Sequence, residues 1–126
     1  MPPDPKKHRN WPEKFGRAFR AIALGVRGQS SFYVHGLAAI LVVAAGALLE
    51  VSRTEWCLLA LCITIVLAAE MFNSSLERLA TAITEEYDHR IRDALDMASG
   101  AVLLAALGAV VVGAIVFLNR LVAMFG

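Results

Sequence analysis

The sequence predicts an all-α membrane protein with three transmembrane helices and an N-terminal amphipathic surface helix. The chain has 126 residues, of which 58 % are hydrophobic, and this is more apolar than an ordinary soluble domain. The apolar residues are concentrated in three runs, and a segment with hydrophobic residues at helical spacing precedes them. The chain is too short for two independent domains, so we expect a single membrane domain over residues 10–126.

The N-terminal part combines a polar tail with the predicted surface helix. Residues 1–9 are rich in proline and lysine, and we expect them to be disordered. A helix is predicted over residues 10–28, because Asn10 can cap it and both Pro12 and Glu13 suit its first turn. Its aromatic and aliphatic residues share one face and its cations occupy much of the rest, which is typical of a helix in the headgroup region. The alternative is a soluble helix packed against a partner.

Three apolar runs are predicted to cross the membrane, over residues 32–49, 56–83 and 93–120. The polar stretch between the first two runs is short, so these helices should be antiparallel neighbours. The third run contains a small residue at every fourth position, a pattern that lets membrane helices approach closely. These small residues are Ala101, Ala105, Ala109 and Gly113.

The distribution of lysine and arginine predicts the orientation. Seven of the 12 lysine and arginine residues precede the first run, and three more, at positions 78, 90 and 92, lie near the end of the second run or between it and the third. Only Arg53 and Arg120 lie on the opposite side. The positive-inside rule therefore places the N-terminus and the segment 77–96 in the cytoplasm. The net charge is only +1, and we expect no nucleic acid among the partners.

A polar motif ends the second apolar run. On a continuous helix, Glu70, Asn73, Ser74 and Glu77 have the spacing i, i+3, i+4 and i+7 and share one face. At about 1.5 Å per residue, the apolar run 56–69 rises only about 20 Å, less than the hydrocarbon core of about 30 Å. Glu70 should therefore lie at or just inside the lipid edge, where an ionisable residue is a candidate for function.

These residue types suit a reaction between a polar cytosolic substrate and a lipid head group. Phosphoryl transfer needs positioning, charge neutralisation and a group that accepts a hydroxyl proton. Glu70 suits the last role, because desolvation makes a carboxylate more basic, and Glu77 suits Mg²⁺, which prefers oxygen ligands. The sequence contains neither GxxxxGK[ST] nor GxGxxG, so any nucleotide is held without those glycine loops.

Simpler interpretations of the same residues remain open at this point. Glu70 and Glu77 also fit an interfacial carboxylate and a solvated one, and Asn73 fits a hydrogen bond between membrane helices. Arg92 and Asp96 have the i, i+4 spacing of a helix ion pair. His35, near the start of the first run, fits an interfacial residue.

The joint spacing of these features resembles a known family. The residues concerned are Glu70-x-x-Asn73-Ser74-x-x-Glu77, then Glu86-Tyr87, and then Ala94-x-Asp96-Met97-x-Ser99. They resemble the bacterial integral-membrane diacylglycerol kinases and the related undecaprenol kinases, and the similarity covers about Phe15 to Leu118. The resemblance implies a homotrimer in the bacterial inner membrane, with its active site at the cytoplasmic face. It also implies transfer of the ATP γ-phosphate, with Mg²⁺, to the hydroxyl of diacylglycerol or undecaprenol.

The resemblance implies a role for each matching residue. Glu70 is the implied general base, Asn73 its catalytic neighbour, and Glu70 and Ser99 contact the lipid substrate. Glu77 and Gln29 are the implied metal ligands. The implied nucleotide-binding residues are Arg17, Gln29, Glu77, Glu86, Tyr87 and Asp96.

The chain departs from the family pattern at three positions. Gln29 replaces a metal-binding glutamate, Thr81 replaces an aspartate, and Leu95 replaces a lysine that resembles a phosphate clamp. Single preorganised groups of this kind are worth roughly a hundredfold or more in rate. The candidate substitutes for the cation are Arg17, Arg20, Arg90 and Arg92. The alternative function is a non-catalytic membrane protein on the same scaffold, which binds lipid or a partner.

Two further features distinguish the branches of the family. His35 and the stretch 49–56 resemble the undecaprenol kinases slightly more than the diacylglycerol kinases.

Overall fold

The computed structural model describes residues 10–26 and 30–126, and over these residues its regular secondary structure is entirely α-helical. The helices in chain order are α1 (Trp11–Val26), α2 (Ser30–Leu48), α3 (Arg53–Ile83) and α4 (His89–Phe125). The predicted all-α fold class is thereby confirmed. The predicted disordered tail, residues 1–9, and the predicted metal ligand Gln29 lie outside the described residues.

Helix α1 has the capping and the amphipathic character that its sequence predicts. The Glu13 backbone N–H donates to Asn10 Oδ1 at 3.0 Å, which satisfies one of the unpaired donors at the helix start. The large apolar residues Trp11, Phe15 and Phe19 are all more than half exposed. This apolar face is therefore not covered by the chain's own described helices, as a helix lying on lipid requires.

Helices α3 and α4 are long and apolar enough to cross a membrane, by length and composition. They contain 31 and 37 residues, more than the roughly 20 that a hydrocarbon core of about 30 Å requires. The first predicted span corresponds to a shorter apolar helix, Phe32–Leu48. Its crossing of the membrane stays a prediction.

Both long helices begin earlier than predicted because polar side chains cap them. Ser52 Oγ accepts from the Glu55 backbone N–H at 3.2 Å, and Glu55 Oε1 accepts from the Ser52 N–H at 2.9 Å. This capping box starts α3 at Arg53 instead of residue 56. Asp88 Oδ1 accepts from the Arg90 backbone N–H at 2.8 Å and starts α4 at residue 89 instead of 93. Helix α4 also ends later, at residue 125 instead of 120.

Helices α3 and α4 pack antiparallel and make the most extensive contact between any two helices described. At the end distant from Glu70, Val51, Leu59 and Val116 form a small hydrophobic cluster. Beside it, Arg120 Nε and Nη2 both donate to Glu55 Oε1, at 2.9 and 2.6 Å. Charge-assisted hydrogen bonds of this length are strong and directional. They fix the register of α4 against the start of α3.

The described helices enclose very little interior. Among the described residues, only five hydrophobic ones are buried, and no large side chain is fully buried. Long aliphatic side chains on α2, α3 and α4 are instead exposed, and Leu104 and Leu118 are examples at 73 % and 60 %. A soluble monomer rarely exposes apolar surface on this scale, so lipid or other protein must cover these faces.

The turn between α2 and α3 has the hydrogen-bond pattern of a Schellman motif. The Val51 N–H donates to the Gly46 carbonyl at 3.2 Å, and the Glu50 N–H donates to the Ala47 carbonyl at 3.4 Å. Glu50 consequently has a left-handed φ of 52°, a conformation that usually belongs to glycine. Gly46 is required for a different reason, because a Cβ there would lie 2.7 Å from the Trp56 ring.

We expect Glu50→Gly to stabilise the protein. A left-handed conformation costs a residue with a Cβ roughly 1–2 kcal/mol, and glycine's greater freedom in the unfolded chain offsets about 0.5–1 kcal/mol of the gain. The net increase in the free energy of unfolding should be about 0.5–1 kcal/mol. Thermal unfolding in detergent, followed by circular dichroism, measures it. Glu50→Gln is the control, because it removes the charge and keeps the Cβ, and equal melting temperatures for the two variants would contradict the explanation.

Candidate active site

One face of α3 changes from apolar to polar along its length. The buried residues of this helix are Leu59, Val66, Glu70, Asn73 and Ser74, and their spacing places them on the side that meets α2 and α4. The last three are the buried polar side chains of the described chain, with 3 %, 8 % and 5 % exposure. Because burying polar groups is costly without partners, their surroundings indicate what this face does.

Glu70 lies against His35 of helix α2. His35 Nε2 is 3.5 Å from Glu70 Oε2, and the two side chains are 22 % and 4 % exposed. The sequence predicts His35 as an interfacial residue, and its place beside the candidate base was missed. A signal for it exists: His35 is the only basic residue in the apolar run 32–49, and a buried carboxylate requires a hydrogen-bonding or charged partner.

Asn73 forms hydrogen bonds with Glu77, the next predicted site residue on α3, and with Ser99 of α4. Its Nδ2 donates to Glu77 Oε1 at 3.2 Å, and its Oδ1 accepts from Ser99 Oγ at 3.4 Å. The structure thus brings Asn73, Glu77 and Ser99 together in one hydrogen-bonded line, which we call the polar line. Ser74 Oγ is also buried, and it makes no hydrogen bond within the described chain. The Ser74 hydroxyl can therefore form a further hydrogen bond at this level of α3.

The polar line ends at a pocket of about 440 Å³. The end of α3, the connection 84–88 and the first turns of α4 form its walls. It brings together Glu77, Glu86 and Tyr87, three of the residues predicted to hold the nucleotide. The departures from the family pattern, Thr81 and Leu95, line the same pocket, so they change the composition of this site directly.

The arginines near the pocket differ in their availability. Arg90 Nε and Nη2 donate to Asp88 at 3.3 and 3.0 Å, and these hydrogen bonds lower the pKa of Asp88. Arg92 Nε lies 3.7 Å from Asp96 Oδ1, with both side chains mostly exposed, so the predicted i, i+4 pair is present and weak. Among the residues that line the pocket, Arg92 is the cation.

Two of the predicted nucleotide residues lie away from this pocket's lining. Asp96 is on α4 one residue after Leu95 and is exposed, and Arg17 is on α1, also exposed. Neither lines the pocket.

A second cavity, of about 600 Å³, lies between α2, α3 and α4. Its walls are almost wholly apolar, with His35 as the basic residue among them. Ala109 and Gly113 line it, although their spacing predicts a close helix contact. The contact between α2 and α4 is slight, so at these positions the small side chains leave space.

The donor set suits Mg²⁺ better than a metal that needs a complete protein cage. Within residues 10–26 and 30–126, no three His, Cys, Asp or Glu side chains come together as a metal site. Glu77 is an exposed carboxylate oriented by Asn73, and Glu86 lines the same pocket. Mg²⁺ is commonly bound by one or two carboxylates together with substrate phosphates and water, which these residues could provide.

Comparison with known proteins identifies the family. A family model described as prokaryotic diacylglycerol kinase matches residues 16–117. The chain belongs to this family. The resemblance predicted from the sequence is therefore confirmed, and the match includes every predicted site residue from Arg17 to Ser99.

The relatives that the chain matches are named either undecaprenol kinase or diacylglycerol kinase. An undecaprenol kinase of Bacillus subtilis (strain 168) is 31 % identical over 122 residues, which cover 94 % of this chain and 99 % of the relative. A diacylglycerol kinase of Synechocystis is 31 % identical over 111 residues, or 87 % of this chain and 63 % of the relative. The diacylglycerol kinase of Escherichia coli K12 is 29 % identical over 96 residues, or 76 % and 79 %. Family membership supports lipid kinase activity and location in a membrane.

Proposed function

We propose that this chain transfers the γ-phosphoryl group of ATP to the hydroxyl of diacylglycerol or undecaprenol. The reaction takes place at the cytoplasmic face of the bacterial inner membrane. The observation that carries the proposal is the polar line Ser99–Asn73–Glu77, which runs along α3 between the level of the buried Glu70 and the open pocket that Glu77 lines. A lipid hydroxyl can approach from the apolar side and a nucleotide from the polar side.

The proposed reaction needs one proton acceptor and an aligned phosphate. Glu70 accepts the proton of the lipid hydroxyl while the oxygen of that hydroxyl bonds to the γ-phosphorus. The bond from that phosphorus to the bridging oxygen of ADP then breaks, and ADP leaves. Asn73 and Ser99 orient the reacting groups, because both lie on the polar line beside Glu70. Most of the catalysis comes from this positioning and from neutralisation of phosphate charge.

Binding of the nucleotide is assigned to the pocket and its surroundings. Glu77, with Gln29 as the second proposed ligand, would hold Mg²⁺, which neutralises phosphate charge when bound. Glu86 and Tyr87 contact the nucleotide from the pocket wall, and Arg17 and Asp96 complete its binding from α1 and α4. The proposed assembly is the homotrimer that the resemblance implies, and the outward-facing apolar side chains leave surface that other copies or lipid would cover.

Arg92 is the proposed replacement for the cation missing at position 95. The two residues are one turn apart on α4 and line the same pocket, so a guanidinium at position 92 can reach phosphates bound there. The Arg90 guanidinium already donates hydrogen bonds to Asp88. Arg92 is therefore the better candidate of the two for binding phosphate. A guanidinium suits phosphate because its donors form paired hydrogen bonds with phosphate oxygens.

We expect Arg92→Gln to reduce kcat/KM for ATP by about 100-fold or more, the usual effect of losing a charge-stabilising group. Leu95→Lys, added to that variant, should restore most of the activity, because it returns a cation to the same pocket. Steady-state kinetics with ATP as the varied substrate measure both effects. Arg78→Gln is the control, since Arg78 is exposed on α3 and does not line the pocket. Unchanged kinetics in Arg92→Gln would exclude this role.

The proposed function is tested with purified protein, MgATP and a panel of acceptor lipids. Undecaprenol is the first acceptor to test, because the relative with 99 % coverage is named undecaprenol kinase. Diacylglycerol is the second. Phosphorylated lipid from either acceptor supports the proposal. The Bacillus subtilis relative, assayed under the same conditions, is the positive control. If it forms product and this chain forms none with any acceptor, the result would support the non-catalytic alternative suggested by Thr81 and Leu95.

A further inference from the structure

We infer that His35 is a positioning residue that holds the Glu70 carboxylate in its reactive orientation. The inference rests on the proposed function, because it concerns the proton acceptor of that reaction. It starts from one contact, the 3.5 Å between His35 Nε2 and Glu70 Oε2. Hydrogen bonds of catalytic groups are often long without substrate and tighten in the reacting complex.

The burial of the two side chains favours this role. Glu70 is only 3 % exposed, so water cannot orient its carboxylate as it would at the surface. The imidazole of His35 is 22 % exposed and belongs to a different helix. A carboxylate held from a second helix has fewer accessible rotamers than one held by its own backbone alone. Since a misplacement of about 1 Å can cost roughly a hundredfold in rate, such a contact is valuable to a general base.

The charged and polar groups that α3 and α4 bring to this face have contacts of their own. On α3, the next carboxylate of the face is Glu77, two turns away, which accepts from Asn73. On α4, the polar side chain that reaches this face is Ser99, which hydrogen-bonds Asn73 and does not titrate. From α2, His35 is the basic group placed against Glu70. The 3.5 Å contact with His35 is the one from α2 that we assign to positioning the carboxylate.

His35 also connects the proton acceptor to the apolar cavity. It is the basic residue in the wall of that cavity of about 600 Å³. In the reacting complex, an Nε2–H donated to Glu70 Oε2 would keep the imidazole at the cavity wall and the carboxylate at the end of the apolar region. Loss of this donor would leave substrate binding in place and impair the orientation of the base.

The test compares variants of His35 in the full chain, with MgATP and the best lipid acceptor of the wild type. His35→Leu removes the donor, and we expect kcat to fall about 10- to 100-fold with KM for ATP within twofold. His35→Gln keeps an N–H at a similar reach and should retain kcat within about fivefold. Tyr33→Leu, a change at an exposed neighbour on α2, should leave kcat unchanged.

Two further comparisons keep the inference open to contradiction. In a His35→Leu and Glu70→Gln double variant, no loss beyond that of Glu70→Gln is expected, because His35 acts through Glu70. If His35→Leu does not fold, His35→Asn replaces it, since its shorter amide does not reach Glu70 and should be slower than His35→Gln. Equal kcat in the wild type and the donor-free variant would overturn the inference alone. A wild type without lipid phosphorylation would overturn the proposed function itself.

Discussion

Replacing Glu70 with glutamine is expected to reduce lipid phosphorylation to a small residual rate while the protein stays folded. The amide has nearly the same volume as the carboxylate and can still hydrogen-bond His35, so the packing of α2 against α3 should persist. It cannot accept the hydroxyl proton, and loss of a general base typically costs about 10²- to 10⁴-fold in rate. The loss should appear in kcat with the best acceptor lipid, measured as phosphorylated lipid formed from labelled ATP.

The control for this variant is Glu50→Gln. It makes the same change of carboxylate to amide in the turn between α2 and α3, at the opposite end of α3. Its activity should equal that of the wild type, and all three proteins should elute at the same volume in detergent. Activity of Glu70→Gln within tenfold of the control would refute the assignment of Glu70 as the base.

The second large effect is expected for Glu77→Gln. Glu77 combines exposure to the pocket with orientation by Asn73 at 3.2 Å, which is the arrangement of a carboxylate that holds a cation. Removing its charge should lower activity about 100-fold or more at fixed Mg²⁺. Because a neutral amide is a weaker Mg²⁺ ligand, the Mg²⁺ concentration for half-maximal activity should also rise. A titration of activity with Mg²⁺ at constant ATP measures both changes.

Glu85→Gln is the matched control for this experiment. Glu85 is an exposed glutamate of the connection 84–88, close to Glu77 in the chain, and does not line the pocket. Its Mg²⁺ dependence should match the wild type. A Glu77→Gln enzyme that loses activity without any change in Mg²⁺ dependence would argue for a role other than metal binding.

Most of the fold can be predicted from the sequence, because hydrophobic length and period determine where apolar helices form. The uninterrupted run from Trp56 past Glu70 predicts the continuous helix α3 that the structure shows. The ends of the helices are less predictable, because they depend on capping geometry. Ser52 and Asp88 extend α3 and α4 toward their N-termini by hydrogen bonds that apolar periodicity does not reveal.

The candidate site is predictable where it lies along one helix and not where it joins several. Helical spacing predicts that Asn73 and Glu77 meet, and they are hydrogen-bonded. The contacts of Glu70 with His35 and of Asn73 with Ser99 connect different helices. Such contacts depend on the relative rotation and height of the helices, which a single sequence does not specify. The bridge between Arg120 and Glu55 was missed for the same reason.

The scarcity of buried side chains has a consequence for how this protein must be handled. Most of the large hydrophobic side chains that the structure describes point outward, so the surrounding hydrocarbon occupies the place that a packed interior has in a water-soluble domain. The free energy of folding then depends partly on the detergent or lipid that surrounds the protein. Exchanging one surfactant or bilayer for another alters the molecule's stability as directly as substituting core residues alters that of a globular enzyme.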